Sequence, residues 1–261
     1  MIATSGRATA LLVGIPFVLA AAGWGAFSMV GQFAQTSEHQ AASYDWNGGE
    51  ISLQTSSGYV HVVVGTGTQV GVSYSEHYQL KRPTVTATTS ADGVQLNAKC
   101  PGGIFGNNCE INYTLTVPAS AHLVLHSGDG HISIADVTGA LSLDTGDGGI
   151  TLDNVSGDIA AHTGNGGIGA TRLRSTSVQA ATGDGGIDLD WLVTPKNVTV
   201  RTGNGGIKLD VPQGSGPYAV SASTGNGGRQ IDVPTDPSAN SQITAHTADG
   251  GIHIAFASAT G

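Results

Sequence analysis

The sequence predicts an all-β protein, a β-solenoid of stacked repeats that follows an N-terminal transmembrane helix. Three observations support this prediction. Glycine accounts for 40 of 261 residues, a glycine-rich hexapeptide recurs seven times, and residues 10–33 carry no charge. Frequent glycine disfavours helices, because each interior glycine costs a helix about 1 kcal/mol. A motif that recurs about every 20 residues is typical of a solenoid.

The first 33 residues are predicted to anchor the chain in a membrane. Residues 1–9 form the cytoplasmic N-terminus, and residues 10–33, as a helix of about 36 Å, are long enough to cross a bilayer. Arg7 precedes this segment and no Lys or Arg follows it until Lys81, so the C-terminal part is predicted to be extracellular. A cleaved signal peptide is the alternative. Because its apolar region usually spans only about 7–15 residues, we favour the retained anchor.

The segment between the anchor and the regular repeats is predicted to have two parts. Residues 34–44 are polar and form a short stalk, and residues 45–118 form an atypical capping section, since the end of a repeat array needs a different surface. Two weaker copies of the repeat lie in this section, at residues 51–62 and 85–96. A further strand covers residues 111–118 and ends at Pro118.

Residues 119–256 form the regular array, and residues 257–261 a loose tail. Apolar residues alternate with polar ones on both sides of each hexapeptide, so each repeat is predicted to be strand, glycine corner, strand, with one face buried. The hexapeptides begin with Ser or Thr and are spaced by 18 to 23 residues. They are Ser127–Ile132, Thr145–Ile150, Thr163–Ile168, Thr182–Ile187, Thr202–Ile207, Thr224–Arg229 and Thr247–Ile252.

Two backbone arrangements fit this pattern. Asp-Gly and Asn-Gly are hairpin signals that would give an antiparallel sheet. In a solenoid, the same glycines form corners, and equivalent strands stack in parallel about 4.8 Å apart. We favour the solenoid, because stacking aligns like residues in every repeat, whereas a hairpin constrains only its two central turn residues.

The third residue of each hexapeptide is Asp or Asn, and these side chains are predicted to form a structural ladder along the corners. Mixing the amide with the carboxylate reduces the repulsion between stacked charges. The ladder consists of Asp129, Asp147, Asn165, Asp184, Asn204, Asn226 and Asp249.

Strands that end in Thr-Val-Pro, as at residues 116–118, and the repeated Ser/Thr-Gly-Asx-Gly-Gly-Ile units resemble the bacterial adhesin-like family called domain of unknown function 4097. The resemblance covers about residues 45–256. It implies a solenoid-like surface protein without established catalysis, and a membrane anchor before the repeats, as in actinobacterial members. Arg229 departs from the pattern, because isoleucine is expected there. Either that repeat is open or the arginine marks a contact surface.

Cys100 and Cys109 are the chain's two cysteines, and in an exported chain such a close pair is predicted to form one disulfide. A zinc site would need further ligands nearby, and the sequence shows none there. The disulfide agrees with the extracellular location that the N-terminal segment predicts independently.

Candidate chemistry is sparse. Asp190, Asp210 and Asp232 are predicted to stack on successive repeats, and with Arg229 they form a contact face. Such carboxylates also suit a polysaccharide-cleaving β-helix enzyme, but exposed Asp near turns needs no catalytic role. The array resembles a glycine-rich calcium-binding repeat, although Asn replaces Asp at three corners, where calcium prefers carboxylates. No cofactor is therefore predicted, with calcium as the alternative.

The histidines and the net charge limit the classes of partner that the sequence predicts. His126, His162 and His246 share one position before the corner and are predicted to be surface polar residues. The formal net charge of −9 disfavours a nucleic-acid partner. The sequence therefore predicts a single-pass, non-catalytic surface protein that binds an envelope polymer, a protein or another cell. An envelope-sensing or structural accessory protein is the alternative, followed by a polysaccharide-acting enzyme.

Overall fold

The computed structural model describes residues 36–79, 81–101 and 109–258, all of which belong to one compact unit, Phe33–Gly261. In these three ranges no helix is long and apolar enough to cross a membrane. The predicted N-terminus, residues 1–9, and the predicted membrane helix, residues 10–33, lie outside the described residues.

The described residues form an all-β fold, as predicted. In chain order the strands are β1 (Thr36–Asp45), β2 (Glu50–Ser57), β3 (Val60–Val64), β4 (Gln69–Tyr78), β5 (Thr84–Ser90), β6 (Gly93–Lys99), β7 (Glu110–Val117), β8 (Leu123–Asp129), β9 (Ile132–Ala135), β10 (Leu141–Thr145), β11 (Ile150–Asp153), β12 (Ile159–Thr163), β13 (Ile168–Leu173), β14 (Ser177–Asp184), β15 (Ile187–Trp191), β16 (Asn197–Asn204), β17 (Ile207–Val211), β18 (Tyr218–Asn226), β19 (Arg229–Ile231), β20 (Ser241–Asp249) and β21 (Ile252–Phe256).

The strands make two sheets. Sheet 1 has eleven strands in the spatial order β1-β4-β7-β3-β9-β11-β13-β15-β17-β21-β19. Sheet 2 has ten, in the order β18-β20-β16-β14-β12-β10-β8-β2-β6-β5. The pairings of β1 with β4, β4 with β7 and β5 with β6 are antiparallel, whereas the other pairings among these strands are parallel. Each repeat therefore forms one coil, a strand in sheet 2, a glycine corner and a strand in sheet 1.

Equivalent residues of successive coils lie next to each other. Ile150 is paired with Ile132 on one side and with Ile168 on the other, and all three are buried. Thr145 is placed in the same way between Ser127 and Thr163. The prediction of parallel stacking is thus confirmed over hairpins. Inward-facing aliphatic side chains from both sheets fill the narrow interior, where their removal from water stabilises the fold.

The spatial order of the coils differs from the chain order at both ends. The coil of β2 and β3 lies between the coil of β6 and β7 and the coil of β8 and β9. At the other end, the coil of β20 and β21 lies between that of β16 and β17 and that of β18 and β19. The sixth hexapeptide, Thr224–Arg229, is therefore on the outermost coil, and the seventh, Thr247–Ile252, is inside the stack.

Two predictions for the N-terminal section are wrong. Residues 36–44, assigned to a polar stalk, belong to β1, which pairs along its length with β4 because its backbone satisfies that exposed edge. The repeat at residues 85–96 is not a coil. β5 and β6 form an antiparallel hairpin around Ala91 and Asp92, and Gly93, which has φ of 137°, begins β6 directly after the turn. The repeat at residues 51–62 does form a coil, and β7 covers the predicted strand before Pro118.

At the C-terminus, the segment predicted to be loose begins with a bonded residue. The Ala257 N–H donates to the Val211 carbonyl, and the Ala257 carbonyl accepts a bond from the Gln213 amide. Residues 259–261 lie outside the described ranges. Ala257, the first residue of this segment, is thus held against the C-terminal end of β17.

Candidate functional site

The glycine corners are the most repetitive surface feature, and their geometry explains the hexapeptide. At six corners the threonine hydroxyl donates to a glycine carbonyl of the neighbouring coil. Thr163, for example, bonds to Gly148 at 2.7 Å. At the second glycine of the corner the neighbouring backbone approaches closely. A Cβ on Gly166 would lie 2.3 Å from the Gly148 carbonyl oxygen. Glycine is therefore required at this position by contact between coils.

The Asp and Asn side chains at the third corner position do line up along the stack, in an order set by the exchanged coils. In space the order is Asp129, Asp147, Asn165, Asp184, Asn204, Asp249 and Asn226. From Asp147 onward, carboxylate and amide alternate strictly, which the chain order does not show. Three amides donate to a neighbouring carboxylate, and the Asn226 Nδ2 lies 2.6 Å from Asp249 Oδ1. The ladder therefore stabilises the stack, and from Asp147 onward an amide separates each carboxylate from the next.

Replacing the amide that separates Asp147 from Asp184 tests this conclusion. In Asn165→Asp the first four positions of the ladder are all acidic on adjacent coils, so we expect the free energy of unfolding to fall by about 1–2 kcal/mol at pH 7. About 1 M NaCl should recover part of this loss, because salt screens exposed charges. Urea unfolding at low and high salt measures both effects. Asn165→Ala removes the hydrogen bond alone, and a loss with the same salt dependence in this control would contradict the charge argument.

The predicted acidic contact face lies on the outer side of sheet 1. Asp190 is paired with Asp210, but the next residue in that row is Ala255, because β21 lies between β17 and β19. The prediction that Asp190, Asp210 and Asp232 occupy successive coils is therefore wrong for Asp232. Lys208 contacts Asp210 and is 3.6 Å from Asp188. The hydrogen bond to Asp210 raises the pKa of Lys208, so the ammonium partly neutralises this face.

Arg229 is exposed because it belongs to β19, the edge strand of sheet 1. It is paired with Ile252 on its inner side, so it occupies the isoleucine position of a coil that has no coil beyond it. Its Nη1 donates to the Ala222 carbonyl on β18 at 2.8 Å. The arginine thus reaches across the end of the stack, and the first of the two readings of the sequence, an open repeat, describes its position.

An inward-pointing charge on an edge strand protects that edge against pairing with another chain. In Arg229→Ile the guanidinium is lost and an aliphatic side chain joins the exposed Ile231. We expect this variant to self-associate through the outermost coil, visible in sedimentation velocity as a concentration-dependent dimer or larger species. Arg174→Ile, an exposed arginine away from that end, is the control. A monomeric Arg229→Ile would show that the edge is protected by other groups.

The outer side of sheet 2 carries the histidines, as predicted. His126 and His162 are separated by the strand of Asp144, and the His126 Nδ1 lies 2.7 Å from an Asp144 oxygen. His246 bonds to Ser223 instead. Across the part of the chain that the structure describes, no three His, Cys, Asp or Glu residues are grouped to hold a metal ion. The calcium alternative stays an untested prediction.

A depression that the sequence did not predict lies on this face. It encloses about 350 Å³ and lies where two outward residues are alanines, Ala160 on β12 and Ala181 on β14. His162, Gln179 and Arg201 surround it. Aligning the outward-facing positions of the repeats could have predicted it. A small residue next to larger ones in adjacent copies leaves a hollow in a flat sheet.

Cys100 and Cys109 are joined in a disulfide, which confirms that prediction. The bond connects the end of β6 to the start of β7, so it closes the corner of the coil that these strands form. Residues 102–108, inside the loop, lie outside the described ranges.

Residues 49–260 match the family described as Toastrack DUF4097. No curated protein matches the chain. Similar solved structures include a putative cell adhesion protein from Clostridium sporogenes ATCC 15579, with 13% identity, 85% of this chain and 100% of that chain covered, and a TM-score of 0.38. A putative adhesin from Bacteroides fragilis NCTC 9343 has 10% identity, 83% and 97% coverage, and a TM-score of 0.43. Another putative adhesin, from Parabacteroides distasonis ATCC 8503, has 12% identity, with 85% of this chain and 98% of that chain covered, and a TM-score of 0.37.

Proposed function

Because this chain belongs to the Toastrack family, domain of unknown function 4097, we propose that it is a non-catalytic cell-surface protein that acts by contact. In this proposal residues 10–33 cross the cell membrane once and the solenoid faces outward, as in the membrane-anchored type that the sequence resembles. Its partner is an envelope polymer or an extracellular protein, and nucleic acid is not a partner. The disulfide between Cys100 and Cys109 supports an oxidising location.

The observation that carries the proposal is the in-register stacking of the coils. It repeats outward-facing side chains about every 4.8 Å along the parallel strands of both sheets. A surface of this kind offers a polymer many similar weak contacts, and several weak contacts on one rigid body add up to useful avidity. The stacked sheets can make those contacts as a rigid surface. This suits binding better than a reaction, in which several catalytic groups must meet at one point.

The predicted contact face gives the proposal specific residues. Asp190 and Asp210 are adjacent on the outer side of sheet 1, and both are partly buried by neighbouring groups. The Lys208 ammonium donates directly to Asp210, so charges of both signs lie side by side on this face. Surface groups of this kind suit ionic contacts to a partner.

Co-sedimentation of the protein, kept in detergent, with cell envelopes that have been extracted free of membrane lipid tests the proposal. We expect the full-length protein to sediment with envelopes and to release no soluble reducing sugar from them. Asp190→Asn should weaken sedimentation without changing the thermal midpoint of unfolding. Release of reducing sugar that Asp190→Asn abolishes would instead establish the polysaccharide-acting enzyme. Failure to sediment with any envelope, together with unchanged attachment of cells after deletion of the protein, would favour the sensing or structural accessory role.

A further inference from the structure

We infer that the depression on the outer side of sheet 2 binds a uronic-acid unit of a polysaccharide chain. This inference deepens the proposed function and rests on it, since it assigns a ligand class to a contact protein. The depression is separate from the acidic contact face, which lies on sheet 1.

The shape of the depression follows from the register of four strands. Ala160 on β12 is paired with Gln179 on β14, and Ala181 on β14 is paired with both His162 and Arg201. The two alanines are therefore diagonal neighbours, and together they form a shallow apolar floor. His162 and Arg201 lie two strands apart, at about 9–10 Å between backbones. The volume of about 350 Å³ falls in the range of small-ligand sites.

Three polar side chains around this floor are available to a ligand. Among the described residues, Arg201, His162 and Gln179 form no ion pair or side-chain hydrogen bond, and all three are exposed. The Arg201 guanidinium is a planar donor that suits a carboxylate. The amide of Gln179 and the imidazole of His162 are suited to hydroxyl groups. These free donors and acceptors lie around an apolar floor, as the polar edges and apolar face of a sugar ring require.

The charges of the depression are divided between its ends. Arg201 on β16 is at one end, and Asp144 on β10 is at the other, three strands away or about 14 Å. The Asp144 carboxylate accepts from His126 and retains capacity to accept from a sugar hydroxyl. It would repel a densely charged polyanion such as a nucleic acid or a polyphosphate. The arrangement therefore fits a chain with one carboxylate for each sugar or each pair of sugars.

A peptide is a less suitable occupant for this surface. Extended peptides usually bind by adding a strand to the edge of a sheet. The depression lies on the face of sheet 2, over β10, β12, β14 and β16, where backbone groups are already paired on both sides. An occupant here is held by side chains alone, and hydroxyl-rich ligands present the more numerous polar groups.

Hyaluronate oligosaccharides, which carry one carboxylate for each disaccharide, provide the test. We expect the full-length protein to bind them by isothermal titration calorimetry, and neutral dextran oligosaccharides to bind much more weakly. Arg201→Gln should weaken hyaluronate binding by about tenfold or more, since a charge-assisted bond is lost. Ala181→Leu should abolish it by filling the floor. Arg174→Gln, which removes the same charge elsewhere on the surface, should bind as the unmodified protein does.

The outcomes separate this inference from the proposed function. Thermal unfolding of each variant checks that the fold is intact, and both substituted positions face solvent. Hyaluronate binding that is absent, or that survives both Arg201→Gln and Ala181→Leu, overturns the inference. Equal binding of poly-glutamate, lost in Arg201→Gln, would assign the depression to an acidic peptide. If the protein sediments with envelopes but does not bind hyaluronate, the contact function stands and this site does not. Hyaluronate binding without envelope binding gives the reverse result.

Discussion

Gly185→Ala is expected to lower the free energy of unfolding by about 3 kcal/mol, the largest effect we predict for a single methyl group in this protein. A Cβ at this position would lie 2.1 Å from the Gly166 carbonyl oxygen. That oxygen also accepts the Thr182 hydroxyl bond at 2.8 Å, while the Gly185 N–H donates to Asn204. Neither backbone segment can move away without breaking a contact to a neighbouring coil, so the overlap must separate two coils.

The neighbouring glycine is a matched control. A Cβ on Gly186 would lie 3.5 Å from the closest atom outside its own neighbours, the Gly206 carbonyl oxygen, which is ordinary contact. We expect Gly186→Ala to change the free energy of unfolding by less than about 1 kcal/mol, because the alanine also restricts the unfolded chain. Urea unfolding of both variants, followed by far-ultraviolet circular dichroism, makes the comparison. Equal losses in the two variants would show that the corner glycines serve conformation rather than close approach.

The parallel stack was predictable from the sequence because the repeat constrains many positions at once. The isoleucines at 150 and 168, the corner threonines and the Asx residues all recur at one spacing, and only stacking brings each set together. The corner glycines were predicted for the same reason, although their particular partner, the glycine carbonyl of the next coil, is visible only in three dimensions.

The exchange of coils at the two ends was not predictable in this way. Interchangeable repeats fit against one another equally well, so the repeat pattern does not determine which copy follows which in space. The departure at Arg229 was the available signal, because an inward arginine is tolerated only where no coil covers it. The hairpin of β5 and β6 was missed for a related reason. Its spacing matches the repeat, but the turn at Ala91 and Asp92 returns the chain to the same sheet.

The depression near Arg201 depends on neighbours in different repeats, so no local motif reveals it. Ala160 and Ala181 are unremarkable in sequence, and the hollow appears only when β12 and β14 are placed in register. Likewise, the alternation of charge along the Asx ladder becomes regular only after the last two coils are exchanged. The surface features of this solenoid thus depend on which coils are neighbours. The sequence of a single repeat does not determine that order.

The antiparallel cap formed by β1, β4 and β7 contains a buried carboxylate, which a neighbouring arginine neutralises. Glu76 on β4 is only 2% exposed, and Arg82 bonds to it at 2.8 Å and to Glu38 of β1 at 2.9 Å. Arg82 therefore neutralises a buried carboxylate and attaches β1 to β4. Removing the arginine leaves the charge of the buried Glu76 carboxylate uncompensated.

Arg82→Met is accordingly expected to lower the free energy of unfolding by about 3 kcal/mol. Glu76→Gln in the same chain should recover at least about 1 kcal/mol of that loss, because a buried neutral amide costs less than a buried carboxylate. Arg172→Met is the matched control, since its partner Asp153 is 35% exposed and exposed pairs contribute only about 0–1 kcal/mol. Urea unfolding of these three variants and of the unmodified protein forms the comparison. If Arg82→Met and Arg172→Met cost the same, or if Glu76→Gln recovers nothing, burial of Glu76 does not determine the stability of the cap.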